Sequence, residues 1–308
     1  MSKTRVIAIV GPTASGKTAL GINISKAFSG EVVSADSMQI YNNMPIASAA
    51  PDEKETEGIK HHLIGFAEPS EKFSVAEFIK LAKASIEDIE KRNKLPVIVG
   101  GTGLYIDSLL GGISFDDEES ETVRKELEKE ADEKGTEVLF ERLKGIDPKA
   151  AEKLHINDRK RIIRALEIFQ IHGKTKTELD AVSKLEGSPY EVLWIGITYR
   201  DREKLYERIN KRVDIMLENG LLAEAERAFN SESSSTSVQA IGHKEFFPYF
   251  KGEITLEEAV QKLKTETRRY AKRQLTWFRK NQDIIWVYAD CEEPFGTIKP
   301  EIEKFLGR

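Results

Sequence analysis

Val6-Ile7-Ala8-Ile9-Val10-Gly11-Pro12-Thr13-Ala14-Ser15-Gly16-Lys17-Thr18 is the stretch on which the fold turns. An unbroken apolar run rich in β-branched residues and closed by Gly-Pro predicts a strand buried on both faces, the mark of a parallel sheet. The residues after it fit G-x-x-x-x-G-K-[ST] without a mismatch and run into a helix-forming stretch. Glycines let the backbone curl so that successive N–H groups face phosphate oxygens, and the following helix adds its positive end. Gly11, Pro12, Thr13, Ala14, Ser15, Gly16, Lys17 and Thr18 are therefore candidate diphosphate-binding residues. Lys17 supplies a point charge, and the Thr18 hydroxyl is the candidate ligand for a phosphate-bound Mg²⁺. A Gly-rich turn with no ligand is the bland alternative, and the strand and helix on either side argue against it.

Working outward, Val32-Val33, His62 to Ile64, Val97 to Val99, Leu193 to Ile197 and Ile284 to Tyr288 read as further strands. The intervals between most of them hold crossover helices, so the expected class is α/β, a P-loop NTPase-like parallel sheet flanked by helices. The spacing breaks between Val99 and Leu193, where a Gly-rich turn and a short helix lead into charged, helical sequence without a strand candidate. This predicts an inserted all-helical domain at 115–190, inside a discontinuous core of 1–114 and 191–308. The insertion opens acidic at Asp116, Asp117, Glu118 and Glu119, and Asn157 is placed to cap a helix running to Phe169. A Ser-rich loop follows at Ser231 to Ser237. A long helix is expected from Leu256 to Asn281, with Val260, Leu263, Thr267, Tyr270, Gln274 and Trp277 as its buried stripe.

The chain has 308 residues, 40% of them hydrophobic, enough for one large core or two modest ones. Forty-seven basic residues against 52 acidic ones give a net charge of -5, so any polyanion must be held by local basic clusters. Two such clusters stand out: Arg159, Lys160, Arg161 and Arg164 in the insertion, and Arg268 to Lys280, a span without an acidic residue. Either reads equally well as a solvated helix face. A single cysteine, Cys291, excludes an internal disulfide and a cysteine-based zinc cage and suits a reducing compartment. The N-terminal apolar run is too short for a signal peptide and no run approaches a membrane span, so a soluble cytoplasmic protein with no membrane partner is expected, and a monomer.

A phosphate loop by itself suggests a kinase or nucleotide hydrolase. Against that default, Val97-Ile98-Val99 runs into Gly100-Gly101-Thr102-Gly103 instead of ending in an Asp that could hold Mg²⁺, so the expected site is one that binds a diphosphate and releases it. Asp36 follows the short strand Val32-Val33, on the sheet edge where ligands of parallel sheets bind. An Asp there is a turn former or helix cap as readily as a base.

Several segments in order resemble the bacterial tRNA dimethylallyltransferase family. They are Gly11 to Thr18, Ser34-Ala35-Asp36-Ser37-Met38-Gln39-Ile40-Tyr41, His61-His62-Leu63-Ile64 and Val99-Gly100-Gly101-Thr102-Gly103-Leu104-Tyr105. Arg161-Ile162-Ile163-Arg164-Ala165-Leu166-Glu167, Gln239-Ala240-Ile241-Gly242-His243-Lys244-Glu245 and Arg269 to Phe278 continue the series, which covers roughly 5–285. The resemblance implies Mg²⁺-dependent transfer of a dimethylallyl group from dimethylallyl diphosphate to the exocyclic N6 amine of the adenosine 3′ of the anticodon. It makes Asp36 the base and Lys17, Thr18 and Thr102 its catalytic companions. Asp36, Ser37, Met38, Gln39, Thr102, Arg124, Arg159, Lys160, Arg161, Ile162, Ile163, Arg164 and Arg273 become candidate contacts to the tRNA anticodon stem-loop. Arg208 or Arg212 becomes a candidate contact to the diphosphate.

The chain departs from the family's pattern between Asn42 and Pro51, where two basic residues and two glycines of that pattern are missing, and at Gly65, where the family has Asp. Alternatives from other classes are an adenylate isopentenyltransferase or P-loop nucleotide kinase acting on a free nucleotide, and a non-catalytic RNA-binding relative. The insertion and the basic C-terminal helix favour RNA, since a free nucleotide needs neither.

Overall fold

Among the described residues, six strands form one sheet in the order β3-β2-β4-β1-β5-β6, every neighbouring pair parallel. They are β1 (Thr4–Val10), β2 (Gly30–Ser34), β3 (His61–His62), β4 (Leu95–Gly100), β5 (Tyr190–Thr198) and β6 (Ile285–Tyr288). The structure, a computed structural model, describes residues 3–112, 120–231, 237 and 240–307. Val6 to Val10 and Leu95 to Gly100 are buried along their whole lengths, as continuous apolar strands covered on both faces must be. On one face the helix Lys17–Phe28 lays Leu20, Ile24 and Phe28 against Ile7, Ile9, Val97 and Val99, with Ile298 and Ile302 of the helix Pro294–Leu306 beside them.

By compactness the chain divides into two units, Met1–Leu110 with Pro189–Arg308, and Gly111–Ser188. The second unit, among its described residues, is wholly helical: Glu121–Lys134, Thr136–Ile146, Pro148–Ala151, Arg159–His172 and Lys176–Glu186. Leu127, Leu139, Leu143, Ile162, Ile163 and Leu166 fill its core. The acidic opening at Asp116 to Glu119, most of the Ser-rich loop and Gln239 lie outside the described residues.

Four local expectations are corrected. The strand at His62 to Ile64 is only His61–His62, because Leu63 takes a left-handed backbone (φ 63°) that ends the extended run. Asn157 does not cap its helix: the helix begins at Arg159, Asp158 holds the cap position, and its carboxylate accepts from the His155 N–H at 3.0 Å. The C-terminal helix spans Leu256–Phe278 and buries Ala259, Leu263, Ala271, Gln274 and Phe278, so the expected stripe is right at Leu263 and Gln274 only. Trp277 stays 37% exposed, donating from Nε1 to the Asp107 carboxylate at 2.7 Å. Ile162 and Ile163 are 0% and 4% exposed, so these candidate RNA contacts are packing residues.

The β2–β3 edge is fastened by Glu31, a carboxylate 2% exposed. It accepts from Arg92 Nη2 and His62 Nε2, both at 2.7 Å, and from Lys94 Nζ at 2.8 Å. The Arg92 bond outweighs the cost of burial and, with Lys94 and His62, holds this carboxyl well below the usual range. A carboxylate depressed in this way stabilises the fold above its unfolded pKa and loses that contribution as pH falls toward its folded value. Glu31→Ala is expected to cost about 2 kcal/mol, since Arg92, Lys94 and His62 all lose their partner while Arg92 and Lys94 remain partly solvated. Urea midpoints at neutral pH should show the loss. At about pH 3 the gap between wild type and variant should narrow, and an equal gap at both pH values would remove the linkage argument.

Candidate active site

Strand order assembles the site. Because β4 lies between β1 and β2 and all three run the same way, the segments leaving their C-terminal ends are neighbours on one sheet edge. From β1 comes the loop Gly11–Gly16, from β4 the turn Gly100–Gly103, and from β2 comes Asp36. Ala35 N–H donates to Val99 O at 2.8 Å and Thr102 N–H to Ala35 O at 3.3 Å, stitching the second and third together. Gly11 has φ 147°, and a Cβ there would sit 2.2 Å from the Ile197 carbonyl oxygen, so the tight exit from β1 requires glycine. The helix behind the loop has no acidic residue in its first turn and Lys26 in its last, which leaves its positive end unneutralised toward an anion.

A cavity of about 320 Å³ opens at this edge. Thr13, Lys17, Thr18, Asp36, Ser37, Arg212, Arg273 and Tyr270 form its polar side, and Ala47, Ile209, Val213, Met216, Ile241 and Leu263 its apolar side. Lys17 Nζ donates to Pro12 O at 2.6 Å. Loss of water lowers the Lys17 ammonium from its ordinary 10.5 to about 7; Asp36 opposes this and Arg212 adds to it. Loss of water also raises the Asp36 carboxyl, against the pull of the Met38 N–H, Lys17, the Gln39 N–H and Arg212. Asp36 Oδ1 accepts from Met38 N at 2.9 Å, which leaves carboxylate capacity for a proton on a bound molecule.

The other candidates divide. Ser37 N–H donates to Thr102 Oγ1 at 3.0 Å, and the Thr102 hydroxyl lies 3.3 Å from Ser37 Oγ, so the two are already coupled. Met38 lines the cavity. Gln39 lines it too, but its amide is engaged at both ends, accepting from Ser34 Oγ at 2.8 Å and donating to Ala49 O at 3.1 Å. Arg208 and Arg212 separate: Arg212 lines the cavity, while Arg208 Nε donates to Ala14 O at 3.2 Å and braces the loop from outside.

Within the helical unit, Arg124 and Arg164 both reach the buried Glu167 carboxylate, at 2.9 and 3.0 Å. Arg159 bonds Asp132 at 2.6 Å and Glu128 O at 2.8 Å, whereas Lys160 and Arg161 are exposed. In the other cluster, Arg268 bonds Asn210 at 2.9 Å and Arg269 pairs with Glu266 at 2.6 Å, leaving Arg273 as the cluster's member in the cavity wall.

Glu224 and His243, to which sequence reading assigned no role, hold the segment that departs from the family pattern. Residues Pro45–Ser48 form one helical turn, and the Glu224 carboxylate accepts from Ile46 N at 3.0 Å and Ala47 N at 2.9 Å. The same carboxylate accepts from His243 Nε2 at 2.9 Å, with both residues about 2% exposed. Burial works to raise the Glu224 carboxyl, but His243 and the two amides bring it below its ordinary value. Ala47, Ser48 and Ala49 thereby stand in the cavity wall. Glu224 could not be found by pattern, because a Glu in the amphipathic helix Leu221–Asn230 reads as a solvated face. Glu224→Ala strands two amides and an imidazole, and a loss of about 3 kcal/mol in unfolding free energy is expected. Thermal unfolding unchanged from wild type would deny Glu224 this role.

No His, Cys, Asp or Glu cluster among the described residues could cage a metal alone. One hydroxyl, Thr18, and one carboxylate, Asp36, facing a diphosphate-sized space suit an ion such as Mg²⁺ that keeps most of its waters and arrives with phosphate oxygens. No helix among the described residues is long and apolar enough to cross a membrane.

A phosphate loop on the central strand of an all-parallel, helix-flanked sheet defines a P-loop NTPase-like α/β enzyme. The IPP transferase family model matches residues 39–281, and the chain belongs to that family. A tRNA dimethylallyltransferase of Caldanaerobacter subterraneus subsp. tengcongensis is 47% identical over 98% of this chain and 97% of its own. The crystal structure of the full-length tRNA isopentenylpyrophosphate transferase of Bacillus halodurans matches at a TM-score of 0.73 with 43% identity, covering 99% of this chain and 96% of that one. A eukaryotic dimethylallyltransferase described as acting on tRNA matches at 0.86 with 31% identity, covering 99% of this chain and 80% of its own.

Proposed function

We propose that this chain transfers a dimethylallyl group from dimethylallyl diphosphate to the N6 amine of the adenosine 3′ of the anticodon in tRNA, releasing diphosphate. The observation that carries the reading is a single cavity in which Lys17 and Thr18 of the phosphate loop face Asp36, with an apolar wall beside them. The loop amides, Lys17 and Arg212 hold the diphosphate, while Ile209, Val213, Met216 and Leu263 receive the branched hydrocarbon. Mg²⁺, held through Thr18 and the diphosphate oxygens, would neutralise part of the charge on the leaving group.

As the carbon–oxygen bond of the donor breaks, its electron pair leaves with the diphosphate, where the cationic wall stabilises the accumulating charge. The adenine N6 forms the new bond to the allylic carbon, and its proton passes to Asp36. Enclosure has raised the affinity of that carboxylate for a proton. Thr102 and Ser37 orient the nucleotide. A base in an RNA loop can be turned into such a cavity at modest cost. Lys160 and Arg161 of the helical unit are the exposed cations of that cluster and contact the RNA backbone.

Incubating the protein with Mg²⁺, labelled dimethylallyl diphosphate and, in separate reactions, tRNA and AMP tests this. Label on N6 of adenosine in tRNA is the expected result. Label on AMP alone would transfer the assignment to a free-nucleotide enzyme.

A further inference from the structure

Gln274 is a polar residue 5% exposed near the C-terminal end of the helix Leu256–Phe278, and its carboxamide is spent on the backbones of two different loops. Oε1 accepts from Thr13 N at 2.8 Å, inside the phosphate loop, and Nε2 donates to Gly101 O at 3.0 Å, inside the turn that presents Thr102. The partners fix which end of the amide points where, since a flipped group would set donor against donor at Thr13 and acceptor against acceptor at Gly101. A Cβ at position 101 would fall 2.1 Å from Nε2, so the contact needs glycine there. Tyr270, one turn earlier on the same helix, lines the cavity beside Gln274.

One side chain therefore spans the two halves of the cavity, and it occupies a loop N–H that would otherwise face a phosphate. Resting on the proposed reaction, we propose that Gln274 is a positioning residue that sets the spacing between the donor's diphosphate and the acceptor nucleotide. It does so by holding the phosphate loop to the Gly100–Gly103 turn and withholding the Thr13 N–H from the anion. Such a residue contributes to the rate of transfer more than to ground-state binding, because a displacement of about 1 Å between reactants can cost about 10²-fold while either substrate still binds.

Gln274→Met keeps the volume and removes both bonds; Gln274→Glu keeps an acceptor for Thr13 and sets an oxygen against Gly101 O. For Gln274→Met the expected result is a fall of about 10- to 100-fold in kcat, with KM for dimethylallyl diphosphate and for tRNA each changed less than about threefold. Hydrogen exchange at the Thr13 amide should quicken in Gln274→Met and stay slow in Gln274→Glu, which should lose kcat all the same. The proposal is overturned by a Gln274→Met kcat within about twofold of wild type, by a rise in KM that accounts for the whole loss, or by losses in both variants that match their unfolded fractions. Wild-type protein unable to label tRNA would instead defeat the proposed function, and Thr13 exchange in the two variants would still decide whether the tie exists.

Discussion

Asp36→Asn is expected to lower kcat for transfer to tRNA by about 10³-fold while tRNA and diphosphate affinities stay within a few-fold of wild type. Asparagine retains an oxygen for the Met38 amide, so the turn after β2 should survive and the loss should isolate proton acceptance. The pH profile gives a second readout. Enclosure raises the Asp36 carboxyl, so wild-type activity should fall on the acid side as this group protonates, at a pH above that of an ordinary aspartate. That limb should vanish from the residual activity of Asp36→Asn. A variant turning over at the wild-type rate would strip Asp36 of its role as base and leave it a turn former.

Lys17→Met should reduce kcat by about 10²- to 10³-fold, since the charge lost faces the group that departs with an electron pair. The wild-type lysine carries its own pH signature. Enclosure brings its ammonium down to titrate at about 7, and a bound diphosphate favours the charged form. Above about pH 7, binding therefore takes up a proton, and pyrophosphate affinity in the presence of Mg²⁺ should decline with pH, by at most about tenfold per unit. Calorimetry in buffers of different ionisation heat measures that uptake directly, and it should disappear in Lys17→Met. Stability moves the other way. An unfolded lysine keeps its proton to about pH 10, so between the two values the unfolded chain binds more protons and the fold gains stability as pH rises. Affinity independent of pH from about 6.5 to 8.5 would contradict the low lysine value.

What could be read from the sequence was what is local. Lys17, Thr18 and Asp36 fall close together, and strand, loop and helix there depend on neighbouring residues alone, so both the loop and the carboxylate were accessible. Strand order was not, because nothing near Val97 says that it lies between β1 and β2; yet that order brings Thr102 to Asp36. The C-terminal helix was misphased in part because its contacts reward shape as well as hydrophobicity. Ala259 and Ala271 are buried, whereas Trp277 lies against Gly103, where a Cβ would come within 2.3 Å of its ring, and turns its N–H to Asp107. Arg208 and Arg212 could not be told apart by spacing, since one turn of helix decides which enters the cavity and which braces the loop. The segment after Tyr41, read only as a departure, is held through Glu224 and His243, residues far away in the chain that carry no motif for such a role.

The N-terminal strand β1 has β4 on one side and Tyr190–Thr198 on the other. During synthesis β4 leaves the ribosome early, but the second neighbour emerges only after the entire helical unit has been made. Throughout that interval the nascent chain presents an apolar strand with an open row of amides and carbonyls, the kind of edge that invites mispairing. Translation speed across the segment encoding the helical unit should therefore govern how much chain reaches the native state, and a holdase able to shield that edge should raise the yield.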